Sequence, residues 1–278
     1  MSEEKPPQSW CLNLGGTSNP VAMEFRWIPP GWIRIGQRGQ STYEEPPTWI
    51  RIQRGFYMGV LPVTVQQYNA LVEKGQQKQE DDHLPATKVS WHQAQNYCRE
   101  ISEQCAAQLL IHGLPYAAAL PTEVQWEYAC RAGTDTEIVF GDGIGAYQEK
   151  VEAAGEADRT SMVWYDEPSG DLEPRDPNSG LPNPFGLRDT HGNVWEWCQD
   201  RWDERLLRRY HQGIDEQQAI ELSEQFEDRE DHGGKGEFRT RRGGSYYNPA
   251  WWCRAACRYR GRAGDSYRNC GLRVCLVP

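Results

Sequence analysis

The chain has 278 residues, 38 % of them hydrophobic and 11 % aromatic, with 12 Trp and a formal charge of −10. That is enough to bury a substantial core, read here as one large irregular domain rather than two, with much of the core volume carried by a few large rings. The acidic balance excludes a general nucleic-acid binder, which needs clustered Lys and Arg, and no run approaches the ~20 apolar residues of a membrane span.

In chain order, "MSEEKPPQSW" is acidic and polar where a secretory leader would be basic and then apolar, so a cytoplasmic protein without direct membrane insertion is expected. Residues 1–22 read as a tail in which Trp10 and Leu12 have the character to dock, and 23–278 as a single domain. "MEFRWIPPGWIRIGQ" (23–37) and "TWIRIQRGFYMGVLPVT" (48–64) alternate large apolar with polar residues, which predicts two strands of an antiparallel pair. Three helix starts follow, each with Ser or Thr three residues before Gln: Thr64/Gln67, Ser90/Gln93 and Thr122/Gln125. The hydroxyl takes an amide hydrogen while the Gln reaches back to the cap amide, so each predicts a reciprocally capped N-terminus.

From Gly133 to Pro184 the chain is Gly-, Asp-, Pro- and Ser-rich without periodicity, which calls for anchors or function. One anchor is "RDTHGNVWEWCQDRW" (188–202), a Gly-Asn turn feeding a Trp-rich strand. Residues 203–238 are strongly charged, with Ala219, Leu222 and Phe226 near helical spacing. They read as a decorative insertion carrying a short helix on a solvated excursion that ends at Gly233-Gly234. Nine cysteines form no C-x-x-C pair and read mostly as small buried hydrophobes. The six His are scattered without a partner at base spacing, so no general base is assigned.

The blocks "MEFRWIPPGWIRIG", "GFYMGVLPVTVQQY", "VSWHQAQNYC", "LPTEVQWEYACRAGT", "NPFGLRDTHGNVWEWCQD" and "RRGGSY…CRAACRYR…GLRV" occur in an order that resembles the formylglycine-generating enzyme (sulfatase-modifying factor) family from about Met23 onward. The resemblance implies an α+β fold of the C-type lectin kind: irregular, with a small twisted antiparallel sheet and a few helices. It leaves activity open, because a fold hosts many functions. Three kinds of protein share it. The copper-dependent cysteine oxidase needs two cysteines five residues apart to hold Cu(I) between thiolates; here the second position is Cys253 but the first is Asn248, with Cys257 as the only other thiol nearby. The iron-dependent sulfoxide synthase needs a His-rich N-terminal domain that this sequence does not show.

The third kind, the variable proteins of diversity-generating retroelements, is the closest resemblance. Arg242-Gly243-Gly244-Ser245, Cys253-Arg254-Ala255-Ala256, Arg258, Arg260, Arg268 and Gly271-Leu272-Arg273 are similar to its fixed framework. The implied ligand-binding positions, within a variable-type region at 241–275, are Tyr246, Tyr247, Asn248, Ala250, Trp251, Trp252, Cys257, Tyr259, Gly261, Ser266, Tyr267, Asn269 and Cys270. Tyr, Trp, Ser, Asn and Gly are also the residues of antibody paratopes. The framework arginines are expected to be tied to carboxylates or carbonyls beneath the face. The expectation is a non-enzymatic protein whose C-terminal face takes a macromolecular ligand, a protein and not a nucleic acid, with the copper oxidase as the alternative and Cys253 as its thiol.

Calcium is a further candidate. By the same resemblance, Asp189, Gly192, Val194 and Glu196 match oxygen donors that suit Ca²⁺. The competing reading has Asp189 capping the Gly192-Asn193 turn and Glu196 paired with a framework Arg.

Overall fold

A computed structural model of the protein describes residues 6–15, 20–39, 41–72, 82–141, 174–210, 214–224 and 237–278. The chain opens with β1 (Ser9–Leu14), β2 (Val21–Ile28), β3 (Gly31–Ile35), β4 (Thr48–Ile52) and β5 (Phe56–Gly59), then helices α1 (Val65–Asn69) and α2 (Trp91–Gln104). The hairpin β6 (Leu110–Ile111) and β7 (Leu114–Pro115), β8 (Ala117–Ala119) and α3 (Glu123–Arg131) follow. The second half supplies β9 (Trp195–Arg201), α4 (Leu206–Arg209), β10 (Ile214–Asp215), α5 (Glu216–Glu224), β11 (Phe238–Arg242), β12 (Arg258–Arg262), β13 (Cys270–Gly271) and β14 (Cys275–Val277).

Among the described residues three larger sheets and the two-stranded β6-β7 hairpin organise these elements. The first runs β1-β2-β5-β14-β8, so the end of the chain sits inside a sheet built mainly from its beginning. The second runs β10-β4-β3, and the third β12-β11-β9-β13. All three helix starts read from the sequence carry the reciprocal cap: Thr64, Ser90 and Thr122 each accept from the amide three residues on, and each Gln returns a contact to the cap amide. The Gly192-Asn193 turn, with φ of 98° and 60°, delivers the chain into β9.

Three expectations need correction. Residues 23–37 and 48–64 are four strands in two sheets: β2 pairs with β5 and β3 with β4. Pro29-Pro30 ends β2, and Gly55 separates β4 from β5 where an added Cβ would lie 2.1 Å from the Trp27 ring. The expected tail is only partly one, because Ser9–Leu14 pairs antiparallel with β2 and buries Leu12 and Leu14 completely. The charged stretch after 203 is no solvated excursion at its start. Leu206, Leu207, Tyr210, Ile214 and Ala219 are buried with Ile33, Ile50 and Val124 in one apolar cluster, and β10 adds a parallel strand to β4. Ala219 and Leu222 lie on α5 as their spacing suggested; Phe226 and Gly233-Gly234 lie outside the described residues. Among the described residues no helix is long and apolar enough to cross a membrane.

Candidate functional site

The C-terminal region is laid over a layer of buried ion pairs. Arg242 reaches Glu127 and the Cys257 carbonyl, with Glu123 3.4 Å from its Nε. Arg258 forks onto Glu123, Arg254 onto Glu44 at 2.7 and 2.9 Å, and Arg273 onto Glu196 at 2.6 Å. Arg273 also donates to the carbonyls of Gly59, Val60 and Arg188. A carboxylate that accepts bidentately fixes the guanidinium plane, and the plane fixes the strand that bears it. The carboxylates come from α3, from β9 and from the single turn at Thr42–Glu44, so residues far apart in sequence lock the same region. The expected tethering holds for Arg242, Arg254, Arg258 and Arg273, while Arg260 and Arg268, the other two framework arginines, are exposed.

Period-two alternation then decides which side chains face out. In β9, Glu196 points to Trp126, whose indole donates to it at 2.6 Å, while Trp195 and Trp197 face the other way. In β11 and β12, Arg241 lies opposite Tyr259, and Arg242 opposite Arg258. One side of this sheet is therefore the ion-pair layer. The other is a floor of Trp195, Trp197 and Arg241 under Tyr259, Trp252 and Tyr267. Trp252 meets Tyr259 edge-on at 4.9 Å, packs against Trp251 at 4.7 Å and touches Trp195 at 6.0 Å between centroids. Tyr267 leans on Trp197 at 6.0 Å. Tyr247 carries the Arg268 guanidinium over its ring at 4.7 Å.

The thirteen expected ligand-binding residues divide by burial. Tyr247, Trp251 and Tyr259 are 53 %, 54 % and 39 % exposed and Ser266 is exposed, while Asn248, Trp252, Tyr267 and Asn269 are half-buried beside them. Tyr246, Ala250, Cys257, Gly261 and Cys270 are buried and are not available to a ligand. Tyr246 sends its hydroxyl to the Arg268 carbonyl at 3.2 Å. At Gly261 an added Cβ would stand 2.5 Å from Trp197 and 2.9 Å from Arg241, so this position cannot take a side chain without moving the floor. Trp195, Trp197 and Arg241 were missed as site residues, although the W-E-W alternation of β9 carries the signal for the two rings.

The copper positions do not assemble a thiolate pair. The Asn248 side-chain oxygen accepts from the Trp195 indole at 2.8 Å and lies 2.6 Å from the Ser245 hydroxyl. Cys253 is fully buried under Gly244, where an added Cβ would come 2.7 Å from its sulfur, and burial pushes its thiol well up. Burial pushes the Cys257 thiol up to about 12. Burial favours the neutral form of both thiols, and with Asn248 at the first position the two-cysteine donor set of the copper pattern is incomplete.

The two carboxylates of the calcium positions are committed elsewhere. Asp189 accepts from Arg175 at 2.7 Å and from the Asn193 amide at 2.8 Å, which ties the turn, and Glu196 is held by Arg273 and Trp126. Gly192 is fixed by its amide donating to the Gly243 carbonyl at 2.7 Å, and the Val194 side chain is buried in the entry to β9. Two guanidinium groups already neutralise both carboxylates, so the donor set does not fit a divalent cation. Among the described residues no cluster of three or more His, Cys, Asp or Glu stands ready to hold a metal.

His191 is fully committed to structure: its Nε2 accepts from the Val139 amide at 3.1 Å, so its Nδ1 carries the proton donated to the Cys253 carbonyl at 2.8 Å. Burial pushes its pKa down to about 4.

Comparison with known proteins accords with this architecture. Residues 17–277 match the model of the sulfatase-modifying factor enzyme 1-like domain. The formylglycine-generating enzyme of Streptomyces coelicolor is 30 % identical over 197 residues, covering 68 % of this chain and 51 % of that protein. The chain spans about half the length of the curated relatives it matches. Among solved structures, Treponema denticola variable protein 1 superposes with a TM-score of 0.71 at 20 % identity, covering 98 % of this chain and all of that one. PvdO from Pseudomonas aeruginosa does so with 0.71 at 19 % identity, covering 99 % and 100 %. These likenesses establish the fold, an α+β arrangement of curled antiparallel sheets with few helices, as expected. The chain belongs to the family of the sulfatase-modifying factor enzyme 1-like domain.

Proposed function

We propose that this protein is a non-enzymatic binding protein whose C-terminal residues form a display face for a macromolecular ligand, a protein by its chemistry, in the manner of the variable proteins of diversity-generating retroelements. The observation that carries the reading is the set of exposed rings Tyr247, Trp251 and Tyr259 in a region fixed from beneath by buried Arg–carboxylate pairs. Large rigid rings on an immobile support give contact area at low entropic cost. Two features weigh against the oxidase: the first copper position is Asn248, whose side chain accepts from the Trp195 indole, and Cys253 is buried. Cytoplasmic residence is part of the proposal, supported by nine unpaired cysteines, eight of them buried.

The test is the gene across isolates, together with its neighbouring DNA. Substitutions are expected at Tyr247, Asn248, Trp251, Trp252, Tyr259, Ser266, Tyr267 and Asn269, with Tyr246, Ala250, Cys257, Gly261 and Cys270 constant. A near-copy of the tail-coding segment differing only at adenines, beside a reverse transcriptase, is expected nearby. Variation spread evenly over exposed and buried positions, with no such copy, overturns the reading. The alternative, a copper-dependent cysteine oxidase, is kept because Cys253 occupies one of its two ligand positions. It requires stoichiometric Cu(I) binding that Cys253→Ser abolishes.

A further inference from the structure

Between Arg241 and Pro278 eight arginines face a single acidic side chain, Asp265. Four of them, Arg242, Arg254, Arg258 and Arg273, are matched by Glu123, Glu127, Glu44 and Glu196. Arg260 and Arg262 lie on the far side of β12 from Tyr259, with their guanidinium groups 5.0 and 5.5 Å from the Phe238 ring. That leaves Arg241 and Arg268 on the display side.

Arg241 is the unusual one. It is only 5 % exposed, yet among the described residues no carboxylate pairs with it. It donates from Nη2 to the Arg260 carbonyl at 2.8 Å, and its Nε has no hydrogen-bond partner. Four rings surround the guanidinium carbon, with Tyr267 at 4.3 Å, Tyr259 at 5.4 Å, Trp197 at 5.5 Å and Trp195 at 5.7 Å from their centroids. The Cys270 thiol within its field is held protonated by burial, its pKa pushed up to about 12, and supplies no counter-charge. Asp265 is exposed and spends its carboxylate on the Tyr267 hydroxyl at 3.1 Å.

Ring faces attract a cation but do not neutralise it, and a buried charge is ordinarily paired. The guanidinium lies against Tyr259 and Tyr267, two residues of the proposed display face. Arg268 adds a second, exposed cation at its rim beside Tyr247. We propose that Arg241 is the anion anchor of the display face, and that the partner is a protein presenting a carboxylate-rich segment to Arg241 and Arg268. This rests on the display reading above and adds to it the charge of the ligand.

The test uses the full chain and two fluorescein-labelled peptides at matched ionic strength, one alternating Glu and Ala, the other Gln and Ala. The Glu peptide is expected to bind about tenfold tighter, as one desolvated charge pair allows. Arg241→Gln brings the two peptides to parity, and Arg268→Gln, at an exposed position that folding does not need, narrows the gap about threefold. Trp251→Ala weakens both peptides alike. Equal binding of the peptides to the unmodified chain, a Glu preference that survives both arginine variants, or preferential binding of oligothymidylate overturns the anchor. If Trp251→Ala still weakens both peptides, the display reading stands without it. If Trp251→Ala weakens neither, the display reading falls. Should Arg241→Gln fail to fold, Arg268→Gln and the peptide pair decide.

Discussion

Glu196 is a residue whose two sequence readings only the fold can separate. The sequence offered it two roles, a calcium ligand or the partner of a framework arginine, and neither composition nor spacing distinguishes them. What decides is Arg273, 77 residues further on, whose guanidinium takes both carboxylate oxygens while Trp126 donates to one of them. Removing one partner of a buried pair leaves the other charge uncompensated, at a cost of about 3–5 kcal/mol. Glu196→Gln is therefore expected to lower the unfolding free energy by that amount, measured by denaturant titration. Excess chelator is expected to leave the melting temperature of the unmodified protein unchanged. A chelator-induced drop in Tm would show that a cation does reach these carboxylates. The burial of the thirteen expected ligand-binding residues was not legible: Tyr246 and Tyr247 are chemically alike neighbours, yet Tyr246 is buried with its hydroxyl on the Arg268 carbonyl and Tyr247 is exposed.

At the scale of elements, local signals were read correctly wherever a few adjacent residues carry the whole physics. The three reciprocal caps are of this kind, because cap and Gln lie within one turn and need nothing from the rest of the chain. Thr122→Ala should cost about 1 kcal/mol, the usual value for losing a cap hydroxyl, measurable as a shift in the urea midpoint. Strand partnership was not legible, because pairing is non-local. Nothing in 23–64 says that β2 and β5 join one sheet while β3 and β4 join another. The same holds for β1, whose short alternating run looked like a tail until β2 was there to pair with it. Leu12, fully buried on that strand, supplies the check: Leu12→Ala should destabilise by about 2–5 kcal/mol. A residue of a loose tail would give no measurable change.

Across the whole molecule, the acidic net charge conceals a division of labour: the last 38 residues are strongly cationic, and the remainder supplies the carboxylates that hold them. Burying such groups makes stability depend on pH, and two residues pull in opposite directions. Burial lowers His191 to about 4 from its ordinary 6.5, so the unfolded chain takes up a proton first as pH falls. Its contribution is present above pH 6.5 and is lost between 6.5 and 4. Burial, and then the neighbouring Glu123 carboxylate, raise Asp200 from 3.8 to about 7, against the Glu123 amide at 2.6 Å and the Arg258 guanidinium. The folded state holds that proton longer, so its contribution is full below pH 3.8 and is lost as pH rises towards 7. Each group adds a slope of up to about 1.4 kcal/mol per pH unit, and over pH 4 to 6.5 the two oppose each other. A shallow profile is therefore expected for the unmodified protein in urea titrations across this range. Asp200→Asn keeps the acceptor for the Glu123 amide and removes one slope, so stability should then climb with pH up to 6.5 and level off. His191→Gln should give the reverse, a decline from pH 4 to 7. If both variants keep the profile of the unmodified chain, the two buried groups do not titrate independently, and the flatness must come from the ion-pair layer as a unit.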